Sequence, residues 1–102
     1  MMGIIYNVTA KIEKNIADDW LEWLIQEHAP QIIATNCFKK FTILKLLEDD
    51  DEGVTYAIQY FADNMQSYER YITEFADHFK RASLQKWGQK FIAFRTLMQV
   101  IN

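Results

Sequence analysis

The chain has 102 residues and a net charge of −3, and 50% of its residues are hydrophobic, which fits one globular domain over residues 1–102. Seven Phe, five Tyr and three Trp make the chain too apolar to be disordered. Its mixed charges lack the basic excess of a nucleic-acid-binding surface, so we expect no nucleic-acid partner.

The apolar runs along the chain are short, and no basic segment is followed by a long apolar one. We therefore expect neither a membrane span nor a signal peptide. The single cysteine, Cys37, cannot form a disulfide within the chain, which fits a reducing compartment. These features together predict a cytoplasmic protein.

The first strand and the first helix are predicted from periodicity. Apolar and polar residues alternate over residues 4–12, which predicts a half-buried strand. Asn15 is placed to cap the helix that follows. Pro30 lacks a backbone N–H and disfavours a helical residue before it, so this helix should end or kink near His28. A short helical piece should then close at Asn36, a residue type that tolerates the left-handed conformation.

A hairpin is predicted next. Residues 38–47 and 54–61 read as two strands that are joined by a polar turn containing the acidic run 48–52. This run lacks the alternating ligands and the central glycine of a calcium-binding loop. We interpret it as a solvated hairpin tip.

The last part of the chain predicts a helix and a final strand. Asp63 or Asn64 should cap the helix, and Gly88 should end it. The strand then covers residues 91–101. The apolar stripe of the helix, at steps of four and three, comprises Tyr68, Ile72, Phe75, Phe79 and Ala82.

The element order βαββαβ predicts an α+β, ferredoxin-like fold, with a four-stranded antiparallel sheet that carries two helices on one face. The first and third strands should be central. The sheet face away from the helices should mix apolar and polar side chains. Its expected apolar members include Phe41, Ile43, Phe61, Phe91 and Leu97, and its expected polar members include Asn7, Gln59 and Arg95.

This mixed face also predicts the quaternary structure. It is too apolar to stay in water on a monomer and too polar for a protein core. We therefore expect a homodimer in which two sheets face each other across a two-fold axis and enclose a partly polar space.

Five stretches of the sequence carry a family resemblance: IYNVT, W-x-x-W…EHAPQIIAT, VTYAIQYF, YERYI and KFIAFRTL. The element order resembles the dimeric α/β-barrel superfamily, in which two ferredoxin-like protomers close a barrel. The stretches are similar to a small uncharacterised bacterial domain-of-unknown-function family over nearly the whole chain. The resemblance implies a dimeric α/β barrel but no activity, because the superfamily contains monooxygenases, decarboxylases and proteins without known chemistry.

Asn7, Gln59 and Arg95 are the candidate ligand-binding residues, because three neighbouring strands place them on the same expected face. Amide and guanidinium groups in a mostly apolar space suit a carbonyl, carboxylate or phenolic oxygen. Arg95 is the first choice for an anionic ligand, since its planar guanidinium matches a carboxylate. The alternative is a hydrogen-bond network between subunits that fixes the register of the dimer.

Two histidines are candidate catalytic residues. His28 lies at the end of the first helix, where the helix dipole favours a cation and a pKa near neutrality would suit an acid or a base. Its alternative role is to cap backbone carbonyls. His78 follows Asn7 and Tyr68 in an order that resembles the Asn, Trp and His of heme-degrading monooxygenases, with Tyr68 in place of the Trp. This resemblance makes heme an alternative to the leading prediction of no cofactor and no metal.

Three functions follow as hypotheses. The first is a cytoplasmic homodimer without established activity that binds a small organic molecule between its two sheets. The second is a monooxygenase, either cofactor-independent or heme-dependent, to which Asn7, His28, His78 and Arg95 contribute. The third is a module that interacts with a different protein through its sheet face.

Overall fold

A four-stranded antiparallel sheet and a layer of helices make up the protein, in a computed structural model that describes residues 3–48 and 52–102. The strands lie in the order β2-β3-β1-β4, so the first and third are central as predicted. The elements are β1 (Ile4–Glu13), a 3-10 turn (Lys14–Ile16), α1 (Ala17–Trp23), a π turn (Leu24–His28), α2 (Ala29–Ile33), β2 (Lys40–Lys45), β3 (Gly53–Ala62), α3 (Met65–Glu74), α4 (Ala76–Trp87) and β4 (Phe91–Gln99).

This arrangement confirms the predicted ferredoxin-like α+β fold. Among residues 3–48 and 52–102, no helix has both the length and the apolar character needed to cross a membrane. Most of the predicted acidic hairpin tip, at residues 49–51, lies outside the described residues.

The central strands present the predicted side chains to the helices. Tyr6 pairs with Tyr60 and Ala10 pairs with Tyr56 across the β1–β3 ladder, and all four side chains are buried. Because side chains alternate between the two faces of a strand, Asn7 and its alternate neighbours point to the other side. Both central strands therefore agree with the sequence prediction.

In both edge strands, the side chains lie on the face of the sheet opposite to the predicted one. Phe41 pairs with Tyr60, and Arg95 pairs with Val8, so both lie on the helix side of the sheet. The edge strands carry apolar residues on each of their two faces, so alternation alone did not select the correct face, and the ladder register decides it. The predicted positions of Phe41, Ile43, Phe91, Arg95 and Leu97 on the opposite side are therefore wrong.

We call the sheet face away from the helices the open face. Residues paired directly across neighbouring strands point to the same face, so the strand pairing identifies the members of the open face. Its members are Ile5, Asn7, Thr9 and Lys11 of β1, Lys40, Thr42 and Leu44 of β2, Thr55, Ala57, Gln59 and Phe61 of β3, and Ile92, Phe94, Thr96 and Met98 of β4.

The first helical segment departs from α-helical geometry near His28, as predicted, and a short helix follows. Asn15 is not its cap, because α1 begins after Ile16 without a side-chain cap bond. The helix widens into the π turn and continues as α2. The ring of Pro30 would clash with the carbonyl of Gln26 in an α-helix, and a π turn is a known way to absorb such a misfit. The segment closes at Asn36, whose φ of 65° confirms the predicted left-handed residue.

The second helical segment breaks where a continuous helix was predicted. The Ser67 N–H donates to Asn64 Oδ1 over 2.9 Å, which confirms one of the two proposed caps. Phe75, with φ of −126°, separates α3 from α4. The break rotates the buried stripe, so Tyr71 is buried whereas Ile72 is 41% exposed. Gly88 follows α4 with φ of 62°, as predicted for its end.

Candidate functional site

A cavity of about 50 Å³ lies between the helices and the sheet. We call it the central cavity. Its aromatic lining comprises Tyr6, Trp20, Trp23, Tyr60, Tyr71 and Phe79, and its polar lining further includes His28, Lys80, Ser83 and Arg95. Lys80 and Arg95 are exposed whereas Trp20 and Tyr60 are buried, so the mouth of the cavity lies between α4 and β4.

Arg95 reaches this cavity because β4 places it on the helix side of the sheet. Its Nε–H donates to the hydroxyl of Tyr6 over 3.1 Å. That bond uses one of the five N–H groups of a guanidinium, which leaves the others for a further partner. Arg95 is thus a candidate binding residue, as predicted, but in a different space from the one expected.

Three tyrosines in the cavity lining keep their hydroxyl protons at neutral pH. Burial raises the pKa of Tyr6, and the charge and hydrogen bond of Arg95 oppose that rise. Burial also raises the pKa of Tyr60 and of Tyr71. The tyrosines therefore add neutral hydroxyl groups to the cavity and no negative charge.

His28 lies in the cavity because the π turn carries it there. Its ring stacks on Trp23 at 4.4 Å between ring centroids and meets Phe79 edge-on at 5.7 Å. Burial, followed by the positive charge of Arg95, lowers the pKa of His28 to about 4. The predicted pKa near neutrality at a helix end is therefore wrong, and the imidazole is neutral at pH 7.

This low pKa makes stability depend on pH in a defined window. Between pH 6.5 and about 4, the unfolded chain binds a proton at His28 that the folded chain does not. Stability should therefore fall as the pH falls through this window, by about 3 kcal/mol at pH 4. Denaturant unfolding of the wild type and of His28→Phe at several pH values measures this effect. The variant should lose less stability than the wild type, because carboxylate titration is common to both. Identical pH profiles would contradict the assignment.

Asn7 and Gln59 lie on the open face, away from the central cavity. They face each other across the β1–β3 ladder, and Asn7 Nδ2 donates to Thr9 Oγ1 over 2.9 Å. On the far side of β1, Asn7 pairs with Thr96. The structure therefore brings Asn7 and Gln59 together but does not bring them to Arg95.

The open face exposes large apolar side chains on both edge strands. Ile92 is 73% exposed and Phe94 is 61% exposed on β4, and Leu44 is 44% exposed on β2. Phe61 carries the ammonium group of Lys40 over its ring at 4.8 Å. The face thus has the mixed apolar and polar character that was predicted, with largely different residues.

The residues of the proposed heme arrangement do not fit together. Asn7 points to the open face, whereas the ring of Tyr68 packs on Tyr6 at 5.6 Å on the helix side. His78 is exposed and does not line the cavity. Among residues 3–48 and 52–102, no group of three or more His, Cys, Asp or Glu side chains is placed to hold a metal ion.

Sequence reasoning missed several cavity residues. None of Tyr6, Trp20, Lys80 and Ser83 was among the predicted site residues. A signal existed for the last two, because positions three apart lie on the same side of a helix and Lys80 follows a predicted core residue, Phe79. Their meeting with Arg95 depends on the register of β4, which periodicity did not provide.

The comparison with protein families gives a match over nearly the whole chain. Residues 3–101 match the family described as a domain of unknown function, DUF4286. The chain belongs to this family. No curated protein matches the chain. The family resemblance predicted from the sequence is confirmed, and the family carries no assigned activity.

Solved structures with the same fold are similar over their full length. A dimeric ferredoxin-like protein from an uncultured marine organism is 15% identical with a TM-score of 0.70, covering 100% of this chain and 98% of its own. SnoaB, a cofactor-independent oxygenase from Streptomyces nogalater, is 11% identical with a TM-score of 0.69, covering 98% and 94%. A dimeric ferredoxin-like protein of unknown function from Thermobifida fusca is 18% identical with a TM-score of 0.58, covering 95% and 92%. At these identities the similarity establishes the fold alone.

Proposed function

We propose that the protein is a homodimer that binds a small organic molecule in the central cavity of each protomer. The observation that carries the binding role is the lining of this cavity. Aromatic side chains surround a few polar groups, which is the usual composition of a small-molecule site. The ligand site thus moves from the expected space between two sheets to the space between sheet and helices.

Trp20 offers a hydrogen-bond donor to a bound molecule. Its side chain lines the cavity and is 4% exposed, and its indole N–H finds no acceptor within the described part of the chain. A buried donor without a partner costs free energy, whereas a ligand oxygen would remove that cost. The volume of about 50 Å³ lies well below the roughly 300 Å³ or more of sites for drug-sized ligands. We therefore propose a ligand of only a few non-hydrogen atoms, smaller than an aromatic ring.

Ala93 offers a direct test of this site, because it lines the cavity with a small side chain. Ala93→Leu should fill part of the space and weaken binding of acetamide, a small neutral probe, at least fivefold. Nitrogen-labelled protein lets the indole N–H signals report on binding. The signals of Trp20 and Trp23 should shift with acetamide more than that of Trp87, which does not line the cavity.

A matched control is Ala34→Leu, which adds the same side chain at an exposed position after α2. It should bind acetamide as the wild type does. Absence of any shift at Trp20 with acetamide, or equal binding by both leucine variants, would overturn the proposed site.

The dimer is proposed from the open face. Large exposed apolar side chains such as Phe94 and Ile92 are unfavourable in water and form a patch that a second copy could cover. Two of the structural relatives named above are described as dimeric. A protein of a different kind could cover the same patch, and the mass of the purified protein separates these two occupants.

An oxygenase is the second candidate, because SnoaB shares the fold and is named as a cofactor-independent oxygenase. Of the four residues assigned to this role, His28 and Arg95 meet in the cavity, and Asn7 and His78 lie elsewhere. A pKa of about 4 makes His28 a weak base, far from the value near the working pH that favours proton transfer. Binding is therefore the function that the geometry supports best.

A further inference from the structure

We infer that the ligand of the central cavity is a small aliphatic carboxylate of the size of formate or acetate, with its charged group bound by Lys80 and Arg95 at the mouth. This inference rests on the proposed binding function and adds the chemical class of the ligand. It also assigns Lys80 as a residue that determines specificity for an anion.

The size of the cavity limits the ligand to a few atoms. A cavity needs roughly 10–15 Å³ to hold one water molecule. At about 50 Å³, the central cavity therefore accommodates roughly four atoms of that size, which suits formate or acetate. Ala10 pairs with Ala93 across the β1–β4 ladder, and both line the cavity. These two small side chains leave an apolar space over the sheet, which suits a methyl group.

The charge of the cavity lining favours an anion. The lining contains two permanent cations, Lys80 and Arg95, and no Asp or Glu, although the whole chain has a net charge of −3. Within residues 3–48 and 52–102, the ion pairs join other residues, and Asp77, the acidic residue of α4, forms none with Lys80. A local excess of positive charge at a partly buried opening attracts an anion.

The polar groups of the lining favour a ligand that only accepts hydrogen bonds. The buried indole N–H of Trp20 has no acceptor in the described part of the chain. The Tyr6 hydroxyl accepts from Arg95 and keeps its own proton, because burial raises its pKa. The lining includes no carboxylate or carboxamide side chain. An ionised carboxylate has two acceptor oxygens and no donor, so it matches these groups better than an amide or an alcohol does.

Arg95 is oriented for a contact with two oxygens. Its Nε–H donates to the Tyr6 hydroxyl over 3.1 Å, which holds the guanidinium in place. The two terminal nitrogens remain, and together they form a planar fork that matches both oxygens of a carboxylate. Lys80 extends from α4 and Arg95 from β4, so a carboxylate at the mouth would have a cation on each side.

The test compares acetate with acetamide, which have nearly the same shape and differ in charge. At neutral pH, acetate should bind the wild type about tenfold more tightly than acetamide, because hydrogen bonds to an ionised acceptor are stronger. The indole N–H shift of Trp20 measures both affinities. Lys80→Gln should weaken acetate binding about fivefold, as for one ion pair near the surface, and leave acetamide binding unchanged.

Arg81→Gln is the matched control variant. Arg81 is the exposed neighbour of Lys80 on α4 and does not line the cavity, and its replacement removes the same charge. This variant should change neither affinity. Sodium chloride at the concentrations used for acetate is the control for anions in general, and it should leave the Trp20 signal in place.

The outcomes separate this inference from the proposed function. Equal affinity of the wild type for acetate and acetamide, or an equal shift with chloride, would overturn the carboxylate assignment and leave the binding site in place. Equal weakening of acetate binding by both glutamine variants would overturn the role of Lys80, because it would show a general charge effect. Failure of both acetate and acetamide to bind would overturn the proposed function and this inference together.

Discussion

Replacing Phe79 with alanine is expected to lower the free energy of unfolding by about 3–5 kcal/mol. Phe79 is 6% exposed on α4, where its ring stacks on Tyr71 at 6.2 Å and meets His28. Removing the ring leaves a space that neighbouring aromatic side chains cannot fill without losing these contacts. Urea unfolding monitored by circular dichroism measures the loss, which is a large part of the stability of a domain of this size.

Ile72→Ala is the control for this prediction. The sequence pattern assigned Ile72 and Phe79 to the same buried stripe, but the break at Phe75 leaves Ile72 41% exposed. Its replacement should cost less than about 1 kcal/mol, as for most exposed positions. Both variants should be unfolded at the same protein concentration, since dimer formation would add to the apparent stability. Similar losses in the two variants would show that α3 is rotated from the position described above.

The faces of the two central strands could be predicted from the sequence because each strand alternates polar and apolar residues along its own length. Each outward-facing residue of β1 alternates with one that faces the helices, so a period of two identifies both faces. Asn7 and Gln59 were assigned to the correct face for this reason. The two edge strands carry apolar residues at consecutive positions, such as Phe91 and Ile92. Their orientation depends on pairing with a distant strand, which no local pattern encodes.

The helices show a second limit of sequence reasoning. Pro30 was expected to end or kink the first helix, and the chain absorbs it by widening one turn before a short helix follows. Leu24 and Ile32, which are 2% and 3% exposed, pack in the core and keep the segment helical on both sides of the turn that accommodates Pro30. The same turn moves His28 from an expected helix end into an aromatic cavity, so the error in local structure became an error in the predicted pKa.

The candidate site was identified in part. Arg95 was selected because it is a permanent charge within an apolar strand, and the structure does place it beside a cavity. The reasoning assigned it to the wrong face, since one residue of shift reverses every side chain of a strand. Had β4 been paired with β1 through Val8 and Arg95, the same argument would have led to Tyr6 and to the helix side.

The dimer gives the second large expected effect. Phe94→Glu should convert the protein from a dimer to a monomer of about 12.1 kDa, as measured by light scattering at micromolar concentration. Phe94 is 61% exposed on the open face and pairs with Thr9 of the central strand β1. A standard interface buries roughly 800 Å² on each partner, which would cover this side chain, and a charge there would be buried without a partner.

Two further variants make the dimer prediction specific to the open face. Leu84→Glu introduces the same charge at a side chain that is 57% exposed on α4, and it should leave the dimer intact. Ile43→Glu addresses the face that the sequence had assigned wrongly. Because Ile43 packs against the core on the helix side, a glutamate there should reduce helix content and stability along with any loss of mass. Phe94→Glu should instead keep the wild-type circular dichroism. A wild-type mass near that of the monomer, or a dimeric Phe94→Glu variant, would exclude the open face as the dimer interface.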